Sequence, residues 1–171
     1  RLVVGDPMDP ATDVGPLATA AIRDELAEQV RATLARGARL LTGGRPLAGP
    51  GFFYAPTALA DPPADSPAAR EELFGPVAAL FRVPSFDAAL ALANRTRFGL
   101  GAAVWTRDED EIERAVAGIE AGSVFVNGMV ASDPRLPFGG VKRSGFGREL
   151  AGWGLHEFVN AKTVWIGDPA G

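Results

Sequence analysis

A pair of carboxylates stands just ahead of an aromatic ring in the stretch from Glu71 to Pro76. Carboxylates accept hydrogen bonds from ribose hydroxyls, and aromatic rings pack against flat heterocycles. Glu72 and Phe74, held by the following Gly-Pro pair at the start of a predicted buried strand, therefore suit a ligand clamp. A surface glutamate followed by a core phenylalanine is the alternative interpretation, and this stretch alone leaves both open.

A second aromatic ring, Phe138, stands in the stretch 137–150. Pro137 fixes its own φ angle, and the two glycines after Phe138 let the backbone approach a ligand or another chain closely. Glu149 lies near the start of a predicted helix. The stretch predicts a stiff turn that presents Phe138 either to a ligand or to the core as a plug. It lacks the P-loop pattern, because the Lys and Ser or Thr of that motif are replaced by Phe and Gly.

The composition excludes several classes of site. The 171 residues include 0 cysteines and a single histidine, His156. Disulfides, cysteine metal sites and thiol chemistry are therefore excluded within this sequence, and histidine clusters or serine–histidine relays are disfavoured. A net charge of −4 with 22% charged residues fits an ordinary globular chain. No apolar run is long enough to span a bilayer. We expect no nucleic acid, no membrane and no metal among its partners.

Helix and strand signals alternate along the first half of the chain. The spacing predicts a helix from Leu17 to Arg36, because apolar residues recur every four positions, at Ile22, Leu26, Val30 and Leu34. Gly37 ends this helix, and a short strand is predicted over residues 38–41. Residues 61–70 are rich in proline and predict a surface loop. The apolar run 77–83 predicts a buried strand.

The second half continues the alternation. Strands are predicted over residues 102–105, 123–127 and 159–167, and helices over 85–92, from Thr106 to Gly122, and over 147–158. Thr106 and Glu109 have the spacing of a capping box. Strands that alternate with helices predict an α/β fold with a largely parallel sheet flanked by helices. The last strand alternates in polarity and could pair at an edge, within the chain or with a neighbour.

Several of these motifs occur, in the same order, in one known group of proteins. Residues 71–77, Asn127 at the end of a strand, and residues 137–150 together resemble the C-terminal part of the aldehyde dehydrogenase superfamily. The resemblance covers essentially the whole chain, up to the closing segment 162–164. Residues 127–140 resemble, more narrowly, the succinate-semialdehyde dehydrogenase branch. The implied fold is the α/β catalytic domain of that superfamily with a C-terminal oligomerisation strand.

The resemblance implies a reaction. In that superfamily a cysteine thiolate attacks an aldehyde, hydride passes to NAD or NADP, and water hydrolyses the thioester with help from a glutamate. The cysteine, this glutamate and the dinucleotide-binding domain all precede the matched region. We therefore expect the nucleophile to lie outside this chain, which has 0 cysteines, and the isolated chain to be inactive.

The resemblance also assigns roles to residues of this chain. Glu72 and Phe74 would bind the nicotinamide side of the cofactor, and Phe138 would line the junction of substrate tunnel and cofactor. Ser132 would hold the distal carboxylate of the substrate; the alternative is a solvated loop serine. We add Arg135 to that subsite, because a guanidinium matches a carboxylate. Glu149 is a candidate proton relay, or a helix-start glutamate favoured by the helix dipole.

The chain is expected to be part of a longer polypeptide, since it begins at Arg1 without a methionine. Residues 1–150 would form a partial catalytic domain, and residues 151–171 the end of the last helix and the oligomerisation strand. Strand 159–166 would join subunits into a dimer or tetramer, and we expect a cytoplasmic enzyme. The alternative is a truncated, non-catalytic remnant or assembly module.

Overall fold

The structure, a computed structural model, describes residues 2–169. The chain divides into two compact units, the first ending at Ser85 and the second beginning at Phe86. The first unit contains helices α1 (Ala20–Ala35) and α2 (Pro67–Arg70) and strands β1 (Arg39–Thr42), β2 (Thr57–Ala60) and β3 (Val77–Leu80). The second contains α3 (Phe86–Asn94), β4 (Phe98–Gly99), β5 (Ala102–Val104), α4 (Glu109–Gly118), β6 (Val124–Val126), β7 (Val141–Lys142) and α5 (Ala151–His156).

Helix α1 ends where its sequence predicts, but it begins at Ala20 rather than at Leu17. The Thr19 hydroxyl accepts a hydrogen bond from the Ile22 N–H at 3.2 Å and so caps the first turn. Gly37 takes a φ of 109° just beyond the last turn. The N–H of Gly37 donates to the Leu34 carbonyl, and that of Ala38 to the Thr33 carbonyl, which is the hydrogen-bond pattern of a Schellman motif. The predicted helix and its glycine stop are confirmed.

The first unit is built on a three-stranded sheet in the order β1-β2-β3. β1 and β2 are antiparallel, whereas β2 and β3 are parallel, with Thr57 opposite Val77. The core beside the sheet is formed by four buried side chains, Leu26, Val30, Tyr54 and Leu59. The buried face of α1 consists of Leu26, Gln29, Val30 and Thr33, and therefore includes two polar residues that the predicted apolar stripe leaves out.

Helix α2 lies in a stretch that the sequence predicts to be loop. It is only four residues long, and its stability depends on a contact from α1. The buried hydroxyl of Thr33 accepts a hydrogen bond from the Ala68 N–H at 3.1 Å, across 35 positions of sequence. The same hydroxyl donates to the Gln29 carbonyl at 2.7 Å. A long-range cap of this kind leaves no local signal, which is why the prediction was wrong here.

The second unit contains two separate strand pairs. β5 and β6 are parallel, with Ala102 opposite Val124, and β4 and β7 are antiparallel. Helix α4 packs against both α3 and β6. An α/β fold with parallel strand pairs and helices is therefore confirmed, although the strands of the described residues form small sheets.

Two predicted helix starts in the second unit need correction, and one predicted strand is absent there. The cap of α4 is Asp108, whose carboxylate accepts from the Glu111 N–H at 3.1 Å; Thr106 instead donates its hydroxyl to the Glu111 carboxylate. Helix α5 begins at Ala151 rather than residue 147, because Glu149 is still extended and paired with Phe138. The predicted strand 159–167 is not formed within this chain, where every side chain of that segment is exposed.

Across residues 2–169, no helix is both long and apolar enough to cross a membrane.

Candidate functional site

The segment 71–76, here called the Glu72 turn, connects α2 to β3. It begins where the Glu71 N–H donates to the Pro67 carbonyl at 2.8 Å and closes the last turn of α2. It ends where the Pro76 carbonyl accepts from the Thr57 N–H at 2.8 Å, at the start of the parallel pairing of β2 and β3. Both ends of the turn are therefore fixed to regular structure.

Gln29 of α1 holds the middle of the Glu72 turn. Its side-chain amide Nε2 donates to Glu71 Oε2 at 3.0 Å and to the Glu72 carbonyl at 3.1 Å. The Gln29 side chain is buried. Sequence reasoning missed this residue. The signal that could have found it is its spacing, since position 29 follows Leu26 by three and shares its helix face.

Neighbouring side chains of the Glu72 turn point in different directions. Leu73 packs against the core cluster of the first unit, whereas Glu72 is exposed and Phe74 is 64% exposed. The interpretation of Phe74 as a core residue is therefore wrong. A carboxylate and an aromatic ring stand free on one stiff turn, which is the arrangement that a ribose and a flat heterocycle require.

The segment 137–149, here called the Phe138 loop, carries the second group of predicted site residues. Its ends are joined by a backbone bridge, in which the Phe138 N–H donates to the Glu149 carbonyl at 2.9 Å and the Glu149 N–H donates to the Phe138 carbonyl at 2.8 Å. Arg148 strengthens the closure, since its Nη1 donates to the carbonyls of Gly140 at 3.0 Å and Gly147 at 2.6 Å. The predicted stiff turn is present.

Neighbouring elements of the second unit hold the Phe138 loop in place. Gly122 lies so close to the loop that a Cβ atom added there would collide with the Gly139 carbonyl oxygen. The Ser144 hydroxyl accepts from the Gly99 N–H at 3.0 Å. Lys142 lies at the end of β7 and donates its Nζ to the Asn94 carbonyl at 2.8 Å while pairing with Glu120 at 2.6 Å. Position and conformation of the loop are thus fixed from several sides.

An open cavity of about 380 Å³ lies along the Phe138 loop. Phe138 and Glu149 both line it, together with Glu157 and the exposed rings of Phe146 and Phe158. Its lining therefore combines aromatic rings with two carboxylates and the side chain of Arg148. Glu149 itself is exposed and lies outside α5, which begins at Ala151, so it is not the helix-start residue of the alternative interpretation.

Asn127 fixes the chain where it leaves β6. Its backbone takes a φ of 54°, in the left-handed region. Its side chain accepts from the Thr106 N–H at 3.1 Å and donates to the Thr106 carbonyl at 2.8 Å. The ends of the parallel strands β5 and β6 are thus clamped together, and the loop that carries Ser132 starts from this clamp.

Ser132 and Arg135 lie on one exposed loop, separated by Asp133 and Pro134. Arg135 donates from Nε to Asp133 Oδ1 at 2.9 Å and from Nη2 to Oδ2 at 2.6 Å. The hydrogen bonds from Arg135, from its side chain first and its backbone second, hold the pKa of Asp133 below its ordinary value, and Asp133 in turn raises the pKa of Arg135. Part of the Arg135 donor set is therefore already engaged.

The predicted residues fall into three places. Glu72 and Phe74 stand on the Glu72 turn of the first unit; in the second unit, Phe138 and Glu149 form one bridge, and Ser132 and Arg135 share one loop. Over residues 2–169, no group of three or more His, Cys, Asp or Glu side chains could hold a metal ion. These residues offer carboxylates, aromatic rings and a guanidinium, which are groups that can contact an organic ligand.

Comparison with known proteins identifies the class to which this fold and these motifs belong. A sequence profile of the aldehyde dehydrogenase family matches residues 1–164, and the chain belongs to that family.

Among curated relatives, the chain is 57% identical over 166 residues to succinate-semialdehyde dehydrogenase [NADP(+)] 1 of Mycobacterium ulcerans. The aligned region covers 97% of this chain and 36% of that protein. The chain is 58% identical over 166 residues to the succinate-semialdehyde dehydrogenase [NADP(+)] of Mycobacterium avium, covering 97% of this chain and 35% of that protein. The chain thus spans about a third of the length of these relatives.

A solved structure agrees with these relatives. The chain superimposes with a TM-score of 0.91 and 38% identity on the succinic semialdehyde dehydrogenase of Streptococcus pyogenes, solved in complex with NADP+ as the cofactor. The match covers 98% of this chain and 37% of that chain. The chain is a partial aldehyde dehydrogenase that resembles succinate-semialdehyde dehydrogenase.

Proposed function

We propose that the native polypeptide, meaning the chain as its source produces it, oxidises succinate semialdehyde to succinate with NADP+ as the hydride acceptor. The observation that carries this proposal is the 57% identity over 97% of the chain to an enzyme whose name states both the substrate and the cofactor. NAD is the alternative acceptor that the sequence motifs leave open. A cytoplasmic location fits such an enzyme.

Glu72 and Phe74, in the first unit, are the proposed cofactor-binding residues. The exposed Glu72 carboxylate can accept hydrogen bonds from the two hydroxyls of a ribose, and the exposed Phe74 ring can pack on the nicotinamide. The attachment of the Glu72 turn at both ends supports this assignment, because a ligand clamp works best when its backbone is already ordered.

Phe138, Ser132 and Arg135, in the second unit, are the proposed substrate-binding residues. Phe138 lines the cavity and would confine the aliphatic chain of the substrate. Ser132 would donate its hydroxyl to the distal carboxylate. Arg135 contacts Asp133 through Nε and Nη2, and a guanidinium has five N–H donors, so its remaining donors are those offered to the substrate.

The bond-making step needs a group that these 171 residues do not contain. A thiolate would add to the aldehyde carbon, hydride would pass to NADP+, and water would release the acid from the thioester. With 0 cysteines here, the thiolate must come from another part of the native polypeptide. Glu149, which is exposed beside Phe138, remains a candidate for moving a proton near this site.

The decisive test compares the 171-residue chain with the native polypeptide. Each is incubated with succinate semialdehyde and NADP+, and NADPH formation is followed by its absorbance. We expect NADPH only with the native polypeptide. Enzymatic turnover by the isolated 171 residues would contradict the assignment of the nucleophile, and no turnover by the native polypeptide with either NADP+ or NAD would contradict the proposed reaction.

A second candidate function, a non-catalytic assembly module, is favoured by one observation. The segment 159–166 forms no strand within the chain, and it exposes large apolar side chains, among them Trp165 at 89% and Ile166 at 88%. Such a segment suits pairing with a sheet edge of a second copy, giving a dimer or tetramer. An enzyme would use this contact as well, so the contact alone does not separate the two functions.

The size of the native polypeptide separates them. An antibody raised against residues 137–150 would identify it in the source, and its intact mass would then be measured. A mass near 17.8 kDa would favour the assembly module, because the thiolate would be missing. A mass about three times larger, as the 36% coverage of the relative implies, would favour the enzyme.

A further inference from the structure

We infer that Gln29 is a positioning residue for the proposed cofactor-binding residues: it holds the Glu72 turn so that Glu72 and Phe74 face the ligand together. This inference rests on the proposed function of those two residues. Gln29 does not itself reach the ligand, because its side chain is buried and its amide is engaged by the turn.

The geometry is that of a two-point attachment. A primary amide carries two N–H donors on one nitrogen, and Gln29 Nε2 has two acceptors in range, the Glu71 carboxylate at 3.0 Å and the Glu72 carbonyl at 3.1 Å. These acceptors belong to consecutive residues and lie 42 and 43 positions away in sequence. One side chain of α1 therefore sets the position of the backbone on which the Glu72 carboxylate is mounted.

The Glu72 turn needs this attachment because its own local structure is weak. The preceding helix α2 is four residues long, and Glu71 is its C-cap. Leu73 fixes one side of the turn by packing into the core. Gln29 fixes the residues just before it, and the side chain of Glu72 is directed by the backbone between these two attachments. Phe74 follows directly and shares the same backbone.

Gln29 is suited to this task by its place in the fold. It lies in the longest helix of the first unit, between the core residues Leu26 and Val30. The helix ends are capped by Thr19 and by the Gly37 motif, so the amide is presented from a rigid support. A ligand contact held from a rigid element loses less conformational entropy on binding.

The test uses Gln29→Met in the native polypeptide, because methionine keeps the length of the side chain and removes both donors. The matched control is Ser66→Ala, which removes a buried hydroxyl whose hydrogen bond, at 2.6 Å, goes to the Pro63 carbonyl and not to the Glu72 turn. Glu72→Ala serves as the reference for loss of the proposed cofactor contact. Each variant is assayed for the KM of NADP+, the KM of the aldehyde, kcat, and amide hydrogen exchange across residues 71–75.

For Gln29→Met we expect the KM of NADP+ to rise roughly tenfold, as for loss of one hydrogen bond to a charged group. The KM of the aldehyde should stay within about twofold of the wild-type value, and exchange across residues 71–75 should become faster. Ser66→Ala should lower thermal stability without changing the KM of NADP+. A Gln29→Met variant that behaves like Ser66→Ala would overturn the inference.

The reference variant separates this inference from the proposed function. If Glu72→Ala raises the KM of NADP+ and Gln29→Met does not, the positioning role of Gln29 is wrong and the proposed function stands. If Glu72→Ala leaves that KM unchanged, the proposed role of Glu72 is wrong, and the inference for Gln29 is overturned with it.

Discussion

Phe138 and Glu149 are paired backbone to backbone, each N–H donating to the carbonyl of the other, at 2.9 and 2.8 Å. The bridge brings together two residues that the sequence separates and closes the Phe138 loop at its base. It also keeps Glu149 extended, so α5 cannot begin before residue 151. The same backbone bridge therefore positions both the Phe138 ring and the Glu149 carboxylate at the cavity.

The first prediction separates the backbone of Glu149 from its side chain. Glu149→Pro removes the N–H that donates to Phe138, and we expect it to destabilise the native polypeptide by about 1–3 kcal/mol because the Phe138 carbonyl loses its donor. Glu149→Gln keeps that N–H and should change stability by less than about 0.5 kcal/mol. Chemical denaturation measures both. Equal destabilisation by the two substitutions would show that Glu149 stabilises the fold through its side chain and not through the backbone bridge.

The second prediction concerns the close approach of Gly122 to the Phe138 loop. Gly122→Ala places a methyl group against the Gly139 carbonyl oxygen, and we expect a loss of about 1–3 kcal/mol as the loop shifts. Gly152→Ala is the matched control, because the added Cβ would meet no heavy atom within 4 Å beyond its chain neighbours and its own helix backbone, and the position is helical. It should be neutral or stabilising by up to about 1 kcal/mol. Thermal unfolding of both variants makes the comparison.

The third prediction uses the opposite directions of adjacent side chains in the Glu72 turn. Phe74→Ala should leave stability nearly unchanged, since the ring is 64% exposed, but should raise the KM of NADP+. Leu73→Ala should instead destabilise by about 1–3 kcal/mol, because Leu73 packs against the core. Melting curves and steady-state kinetics together test the pair. A large stability loss for Phe74→Ala would contradict the structural assignment of that ring.

The fourth prediction is that the ion pair between Asp133 and Arg135, on the loop that also carries Ser132, depends on pH. The hydrogen bonds from Arg135 lower the pKa of Asp133, so the ion pair is fully formed above the ordinary aspartate pKa of about 3.9 and is lost as the pH falls through the lowered pKa of the folded chain. The carboxyl carbon of Asp133, followed by NMR, should therefore titrate below that ordinary value. Arg135→Gln should return the midpoint towards it. An unchanged midpoint in this variant would show that Arg135 is not the cause.

Local signals predicted the parts of the fold that local interactions build. Helix α1 and its C-terminal end were predicted, because the apolar spacing and Gly37 lie within the helix or beside it, but its start was placed three residues too early, at Leu17 instead of Ala20. The short elements α2, β4 and β7 were missed, because contacts from distant residues hold them. The cap of α4 was misplaced by two residues, since Thr106 and Asp108 are both good capping types and only the hydrogen bonds distinguish them.

The candidate site shows the same division. The sequence proposed Glu72, Phe74 and Phe138 as candidates because of the motifs around them, yet it could not tell that Phe74 is exposed or that Gln29 contacts the turn. Arg135 was assigned to the substrate from its charge alone, and the structure adds its pairing with Asp133. Polar and apolar residues alternate along the segment 159–166 as in a strand, but no strand of residues 2–169 pairs with it. The alternation therefore indicated that the segment can pair, without indicating which strand it pairs with.

The hydroxyl of Thr33 has a consequence for cooperativity. A helix of four residues has no stability of its own in water, and α2 begins with an N–H whose acceptor belongs to α1. We expect the two helices to open and close as one unit, so that a protease reaches the segment between β2 and β3 only when α1 has also come apart. The Glu72 turn, which follows α2 directly, would then stay ordered for as long as α1, the longer helix of the first unit, stays folded.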